Sequence, residues 1–291
     1  MPVAFRSFAP SAPLRPYVAH YFTLRQVGPA DVATPGPNLH HLDPLLRQLL
    51  PNVDQNVLFD FAGSWSTPLP GLRPRRPGPF AVGAVTKPLT TRLRHDAIDV
   101  LGVAFQPGCA AFPNATAERL TDRAMPLELL WGRAATQLYR GLGAQPSNAA
   151  RLHLLEDALA AQLPPPDERA QRVQAAAADL QCGTRGPGVD SLGTKYGTSR
   201  QHLTREFRRL IGMPPSVFIR IARFHRLLKP VAAGLRGDWA TWAARFGYAD
   251  QAHLIREFRR MVGVPPGQFA RQLAEFRSQV PSVQSLPNGA E

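Results

Sequence analysis

The reading turns on two stretches: His202-Leu203-Thr204-Arg205-Glu206-Phe207-Arg208-Arg209 and, 51 positions later, His253-Leu254-Ile255-Arg256-Glu257-Phe258-Arg259-Arg260. In the same register Gly212 falls on Gly263, Pro214-Pro215 on Pro265-Pro266, and Phe218 on Phe269. Eleven identities in one register mark two copies of one supersecondary unit. Each copy reads as a helix-turn-helix. In the first, Val189 to Tyr196 forms a short helix, Gly197-Thr198 the turn, and Ser199 caps a helix running to about Ile211, where Gly212 stops it. In the second, Asp238 caps Trp239 to Phe246, Gly247-Tyr248-Ala249 turns, and Asp250 caps a helix to Val262 before Gly263.

Within each second helix the spacing i, i+4, i+7 turns Leu203, Phe207 and Leu210, or Leu254, Phe258 and Met261, towards the core. The opposite face then presents Gln201, Thr204, Arg205 and Arg208, or Gln251, Ala252, Ile255, Arg256 and Arg259. Arginine and glutamine can form bidentate contacts with guanine and adenine edges, while further arginines neutralise phosphates. The commoner role of an arginine stripe is a solvated face. Two equivalent helices, each starting from a tight turn, favour groove insertion instead. His202 and His253 share a repeat position beside core leucines and read as helix-packing residues. Between the copies, Pro215 to Val231 carries apolar Val217, Phe218, Ile221, Leu227 and Leu228, with Arg220, Arg223 and Arg226 expected outside. It reads as a helix that spaces the units, kinked or ended by Pro230.

Charge follows the same division. The chain of 291 residues has 34 Lys+Arg against 21 Asp+Glu, a net charge of +13. Nineteen of the basic residues and eight of the acids lie between Glu168 and Arg277, so that segment holds +11 and the rest +2. A polyanionic partner is expected for it. Leu163-Pro164-Pro165-Pro166-Asp167 reads as a stiff linker. The organisation expected is therefore a sensing domain over 1–163, a linker over 164–167, a DNA-binding domain over 168–277 and a disordered tail over 278–291.

Before the linker, β-type runs separated by proline and glycine cover Val18 to Leu24, Asn56 to Phe61, Phe80 to Thr86, Leu89 to Arg94 and Ile98 to Phe105. Val100 to Phe105 is apolar on both faces. A small antiparallel barrel or sandwich fits, and the fold class is α+β. Helical periodicity follows in Pro126 to Trp131, Arg133 to Leu142 and Asn148 to Leu163. The last puts Leu152, Leu155, Leu159 and Leu163 on one stripe, a self-association face or part of the core.

Several classes of function are excluded. No apolar stretch approaches the roughly 20 residues that span a bilayer, so no membrane is expected. The opening residues lack the pattern of an export signal, and the expected location is the cytoplasm. Cys109 and Cys182 are far apart and read as inert buried thiols. His40-His41-x-Asp43 lies in a proline-rich stretch without a second ligand cluster and reads as a solvated loop. His20 and His95 read as structural. Neither a nucleophile elbow, an H-E-x-x-H helix nor a phosphate-cradling loop occurs, so no enzyme activity, cofactor or metal is expected. Phe105-Gln106-Pro107-Gly108 reads as a strand-ending turn, with a pocket rim as its functional alternative.

These residues resemble the AraC/XylS family of bacterial transcription regulators from Glu168 to about Leu273. The most specific part is Gly247-Tyr248-Ala249-Asp250-Gln251-Ala252-His253-Leu254-Ile255-Arg256-Glu257-Phe258 with Gly263-Val264-Pro265-Pro266. The resemblance implies two helix-turn-helix units, joined by a linker helix, entering successive major-groove segments. It places DNA contacts at Gln201, Thr204 and Arg205, and at Gln251, Ala252, His253, Ile255 and Arg256. Ala252 and Ile255 can meet only thymine methyls. Trp239 and Trp242 stand where the family has smaller aliphatics, and Gly193 where alanine is usual, which is expected to weaken the first unit's leading helix. The N-terminal half resembles the family's cupin-like β-barrel sensor domain. The resemblance implies a transcription regulator responsive to a small-molecule effector in that domain, with duplex DNA, a second copy of the chain and RNA polymerase as partners. The rivals are a DNA-repair enzyme with a similar DNA-binding domain, which needs an activated cysteine, and a sequence-independent DNA-packing protein.

Overall fold

The computed structural model describes residues 3–26, 48–67, 69–74, 76–93, 98–110, 112, 115–163, 167–181, 189–234 and 237–279. His40-His41-x-Asp43, His95, the linker prolines, Cys182 and residues 280–291 lie outside them.

The N-terminal half is built on strands β1 (Val3–Phe8), β2 (Val18–Gln26), β3 (Gln48–Leu49), β4 (Gln55–Asp60), β5 (Trp65–Thr67), β6 (Gly78–Val82), β7 (Leu89–Thr90), β8 (Arg92–Leu93), β9 (Asp99–Phe105) and β10 (Ala124–Pro126). Six of them form one antiparallel sheet in the order β1-β2-β9-β4-β6-β10, while β3 pairs with β7 and β5 with β8. The central strands alternate between two buried faces, as the unbroken apolar run of β9 requires. Val57, Phe59, Leu101, Val103 and Phe105 point to one interior, and Leu58, Val100 and Phe22 to the other. Gly102 faces Phe22 across the β2–β9 register, where a Cβ would stand 2.2 Å from the ring, so the strand crossing needs glycine there.

The barrel does not close. Among the described residues β1 pairs with β2 alone and β10 with β6 alone. β10 has three residues and ends in Pro126, which has no N–H to extend a ladder. Helices cover one face instead. After α1 (Ala117–Leu120) and α2 (Glu128–Trp131), α3 (Arg133–Gly143) and α4 (Asn148–Gln162) lay Leu138, Leu142, Leu155 and Leu159 into the core under β4 and β9. The α4 stripe is thus core within one chain: Leu155 and Leu159 are fully buried, with Leu152 and Leu163 packed beside them.

Among the described residues the regular elements of the C-terminal half are helices: α5 (Glu168–Gln181), α6 (Val189–Lys195), α7 (Arg200–Leu210), α8 (Pro215–Ala232), α9 (Trp239–Arg245), α10 (Gln251–Val262) and α11 (Pro266–Gln279). Its caps are those the sequence specifies. Ser199 Oγ accepts from His202 N at 3.1 Å, Asp238 from Thr241 N at 2.9 Å and Asp250 from His253 N at 2.6 Å. Gly263 ends α10 with φ 89°, and α8 runs only two residues past Pro230. Leu203, Phe207, Leu254, Phe258 and Met261 share one core with Phe218, Ile221, Phe224 and Leu227 of α8, and Leu210 packs at its edge.

The arginines of α8 are not all outside. Arg226 Nη1 donates to Leu180 O at 3.2 Å and Gln181 O at 3.1 Å, closing the C-terminus of α5, and the Arg223 guanidinium lies 5.4 Å from the centre of the Tyr248 ring. Gly193 is explained by the tight turn after α6. Thr198 N donates to Gly193 O at 2.9 Å, and a Cβ there would stand 2.8 Å from Thr198 O. The two tryptophans meet edge-on at 5.2 Å. Gly237 makes room, because a Cβ there would fall 2.1 Å from Trp242 Nε1.

The two halves share an interior. Leu50, Val53 and Ala84 belong to the same buried cluster as the α7 and α8 core. Thr121 Oγ1 donates to Gly212 O at 2.7 Å, and the Phe105-Gln106-Pro107-Gly108 turn brings Gly108 against Val173, Leu210 and Ile211. That turn docks onto the helical half. The sequence-expected linker gave no hint of this contact.

Candidate nucleic-acid interface

The cores of α7 and α10 leave one face of each outward. On α7, Gln201, Arg205 and Arg208 are exposed and Thr204 half-buried, its hydroxyl donating to Arg200 O at 2.8 Å. On α10, Gln251, Ala252, Arg256 and Arg259 are exposed, with Ile255 half-buried against the core. His253 is half-buried. Its Nδ1 accepts the Ala249 backbone N–H at 3.2 Å, and its ring stands 5.5 Å from Tyr248, edge to face. That geometry ties the turn to the helix and fits the packing role. The structure therefore gathers each set of candidate contacts on one helix face, as the periodicity requires.

The glutamate of each copy faces inward. Glu206, 3% exposed, takes Arg169 Nε at 2.7 Å and His202 Nε2 at 3.1 Å. Glu257 is more open and sits 3.7 Å from both Arg220 Nε and Arg260 Nη1. A buried carboxylate needs such partners, and these pairs lock each second helix to its neighbours. In the sequence both residues are legible only as charges. At the other end of α5, Asp179 accepts from Lys195 Nζ at 2.6 Å and Tyr196 OH at 2.7 Å, which hold its carboxyl below the usual range.

The surroundings of the two faces differ. Thr116 and Glu118, at the start of α1, line one groove with Arg200, Gln201, Thr204, Arg205, Arg208 and Arg209. The first face therefore looks onto an acid of the N-terminal half.

A cavity lies at the seam between the sheet and α8. It measures about 340 Å³ and is lined by Phe5, His20, Phe22, Asn52, Asp54, His225, Arg226 and Lys229 among others. Burial pushes the Asp54 carboxyl up to about 6. Burial also lowers His225, against the opposing effect of its Nε2–H donating to Pro51 O at 2.7 Å. Asp54 and His225 are 171 residues apart in sequence, and no motif announced them. His20 lines this cavity too, its basicity lowered by burial. Among the described residues no three His, Cys, Asp or Glu side chains could hold a metal ion.

Residues 192–272 match a family model described as a helix-turn-helix domain, and residues 6–126 match a domain of unknown function (DUF6597). Among solved structures, ToxT from Vibrio cholerae is similar at 12% identity over 77% of this chain and 92% of that chain, with a TM-score of 0.43. The DNA-binding domain of AdpA, solved in complex with a target DNA, is similar at 24% identity over 41% of this chain and 99% of that chain, with a TM-score of 0.33. No curated protein matches. The helix-turn-helix match takes in both α7 and α10, the helices whose motif residues carry the resemblance to the AraC/XylS regulators.

Proposed function

We propose that the chain binds duplex DNA sequence-specifically through α7 and α10, each the second helix of a helix-turn-helix unit, with α8 setting their separation. The observation that carries this reading is the pairing of two core-anchored helices whose outward faces hold Gln201, Thr204, Arg205 and Arg208, and Gln251, Ala252, Ile255, Arg256 and Arg259. Arg205 and Arg256 are the base readers in this reading, and Arg208 and Arg259 neutralise phosphates. His253 supports the turn rather than reading a base. The test is a titration of affinity against salt for the full chain on duplex DNA. A steep negative slope of log affinity on log salt supports the reading, and a flat one defeats it.

The seam cavity is the site we assign to a small-molecule effector, because a ligand there touches the sheet and α8 at once. Occupancy would act on the first unit through α8 and through the Thr121 to Gly212 hydrogen bond. The DNA-repair rival requires an activated thiol. Cys109 is buried, its Sγ lies 3.6 Å from Pro16 O, and burial pushes it up to about 12, the opposite of activation. A second copy of the chain and RNA polymerase remain expected partners, to be checked by sedimentation and by co-assembly on promoter DNA.

A further inference from the structure

Arg205 and Arg256 occupy the same place in the repeat, yet they are held differently. Arg205 Nη2 donates to His202 Nδ1 at 2.8 Å. A guanidinium has no lone pair to offer, so Nδ1 is the acceptor and the ring proton resides on Nε2. That nitrogen lies 3.1 Å from Glu206 Oε1. The same oxygen takes Arg169 Nε at 2.7 Å, while Arg172 Nη1 stands 3.8 Å from Oε2. The result is a polar chain from α5 through the buried carboxylate and the imidazole to an exposed guanidinium. In the second copy His253 Nδ1 is taken by the Ala249 backbone, which leaves it nothing to offer Arg256 on that side.

The geometry points to His202 as a positioning residue for base reading: held by Glu206, it restrains the Arg205 guanidinium and so sets which base edge Arg205 meets. This rests on the reading of Arg205 as a base contact. A restrained arginine loses less freedom on binding, and an outer partner that fixes a recognition group sharpens its selectivity. The hold leaves a bidentate contact available, since Nη2 carries a second hydrogen and Nη1 and Nε carry others. It needs a neutral ring, because a second proton would occupy the accepting lone pair. Among the described residues the charged groups that share the groove of that ring or bond to it are Arg205 and Glu206 on α7 and Asp167, Glu168, Arg169 and Arg172 at the start of α5.

The experiment uses the full chain and duplexes selected from a pool of randomised sequence, with base preference measured position by position through competition binding. Arg205→Ala is expected to relax preference at one base position. His202→Leu is expected to relax the same position by about fivefold, the worth of one modest hydrogen bond, and to leave the position governed by Arg256 unchanged. In the Arg205→Ala background His202→Leu should add nothing there. His202→Asn, whose Oδ1 offers an acceptor close to the place of Nδ1, should keep most of the preference. If folded His202→Leu and His202→Asn weaken binding to all sequences alike while Arg205→Ala relaxes one position, the positioning role is wrong and the base contact stands. If Arg205→Ala relaxes no position, the base contact itself is wrong and the positioning role goes with it.

Discussion

The two copies of the repeat bury the same positions of α7 and α10 and have different surroundings. Phe207 and Phe258 are both fully buried, both second helices are capped by a side-chain oxygen, and both are followed by a glycine of positive φ. Around the first copy, however, the N-terminal half closes in. A Cβ on Gly212 would stand 2.5 Å from Thr121 Oγ1 and 2.9 Å from Ala117 O, whereas a Cβ on Gly263 would meet nothing within 4 Å. Glu118 looks across at the α7 face, and Arg205 is tied back to Glu206 through His202. One repeat unit thus leaves its surroundings open, while its twin is packed against the N-terminal half.

If the cores are equivalent, Phe207→Ala and Phe258→Ala should each cost about 3 to 5 kcal/mol in denaturant unfolding, because both remove a buried ring. A cost confined to one of them would show that the copies do not share a core. Next in size are the readers. Arg205→Ala and Arg256→Ala should each weaken specific binding by about 1 to 3 kcal/mol and alter preference at separate positions, whereas Arg208→Ala or Arg259→Ala should weaken all sequences and lower the salt slope by about 1. Equal losses on specific and random duplexes for all four would remove the distinction between reading and phosphate contact.

The glycines sharpen the difference in surroundings. Gly263→Ala should cost about 1 kcal/mol of stability from its left-handed backbone alone. Gly212→Ala should cost more, since it also drives Thr121 and Ala117 away, and thermal unfolding of the two variants side by side measures the excess. Equal losses would mean that the N-terminal half does not press on the first copy. The smallest effect concerns the seam. The folded-state value of Asp54, about 6, is raised from 3.8, so the contribution of this group is fully present below the lower value and is lost as pH rises through the upper one. Wild type should therefore lose melting temperature relative to Asp54→Asn between about pH 4 and pH 6. A constant difference across that range would place Asp54 in water.

Local chemistry was legible in the sequence. Ser199, Asp238, Asp250 and Gly263 announce helix ends because capping involves residues three or four apart, and Val100 to Phe105 announces a strand buried on both faces. What was not legible depends on partners far along the chain. Arg169 meets Glu206 across 37 positions and His225 meets Pro51 across 174, so neither the α5 anchor of the polar chain nor the seam cavity leaves a spacing to read. The same holds for α4. A leucine stripe shows that a face is buried, and only the fold shows that the sheet of its own chain buries Leu155 and Leu159. The open sheet escaped for a related reason: strand pattern fixes which face is apolar, but closure depends on edges, and the three-residue β10 ending in Pro126 is too short to join β1.

The central claim is that two helices of this chain read two successive major-groove segments. Its most direct test is a methylation-protection footprint of the full chain on a duplex selected from random sequence, repeated with Arg205→Ala and with Arg256→Ala. Two protected segments about one helical turn apart on one face of the DNA are expected, each variant losing protection in one of them. A single protected segment that both variants weaken together, or diffuse protection without a discrete site, would contradict it.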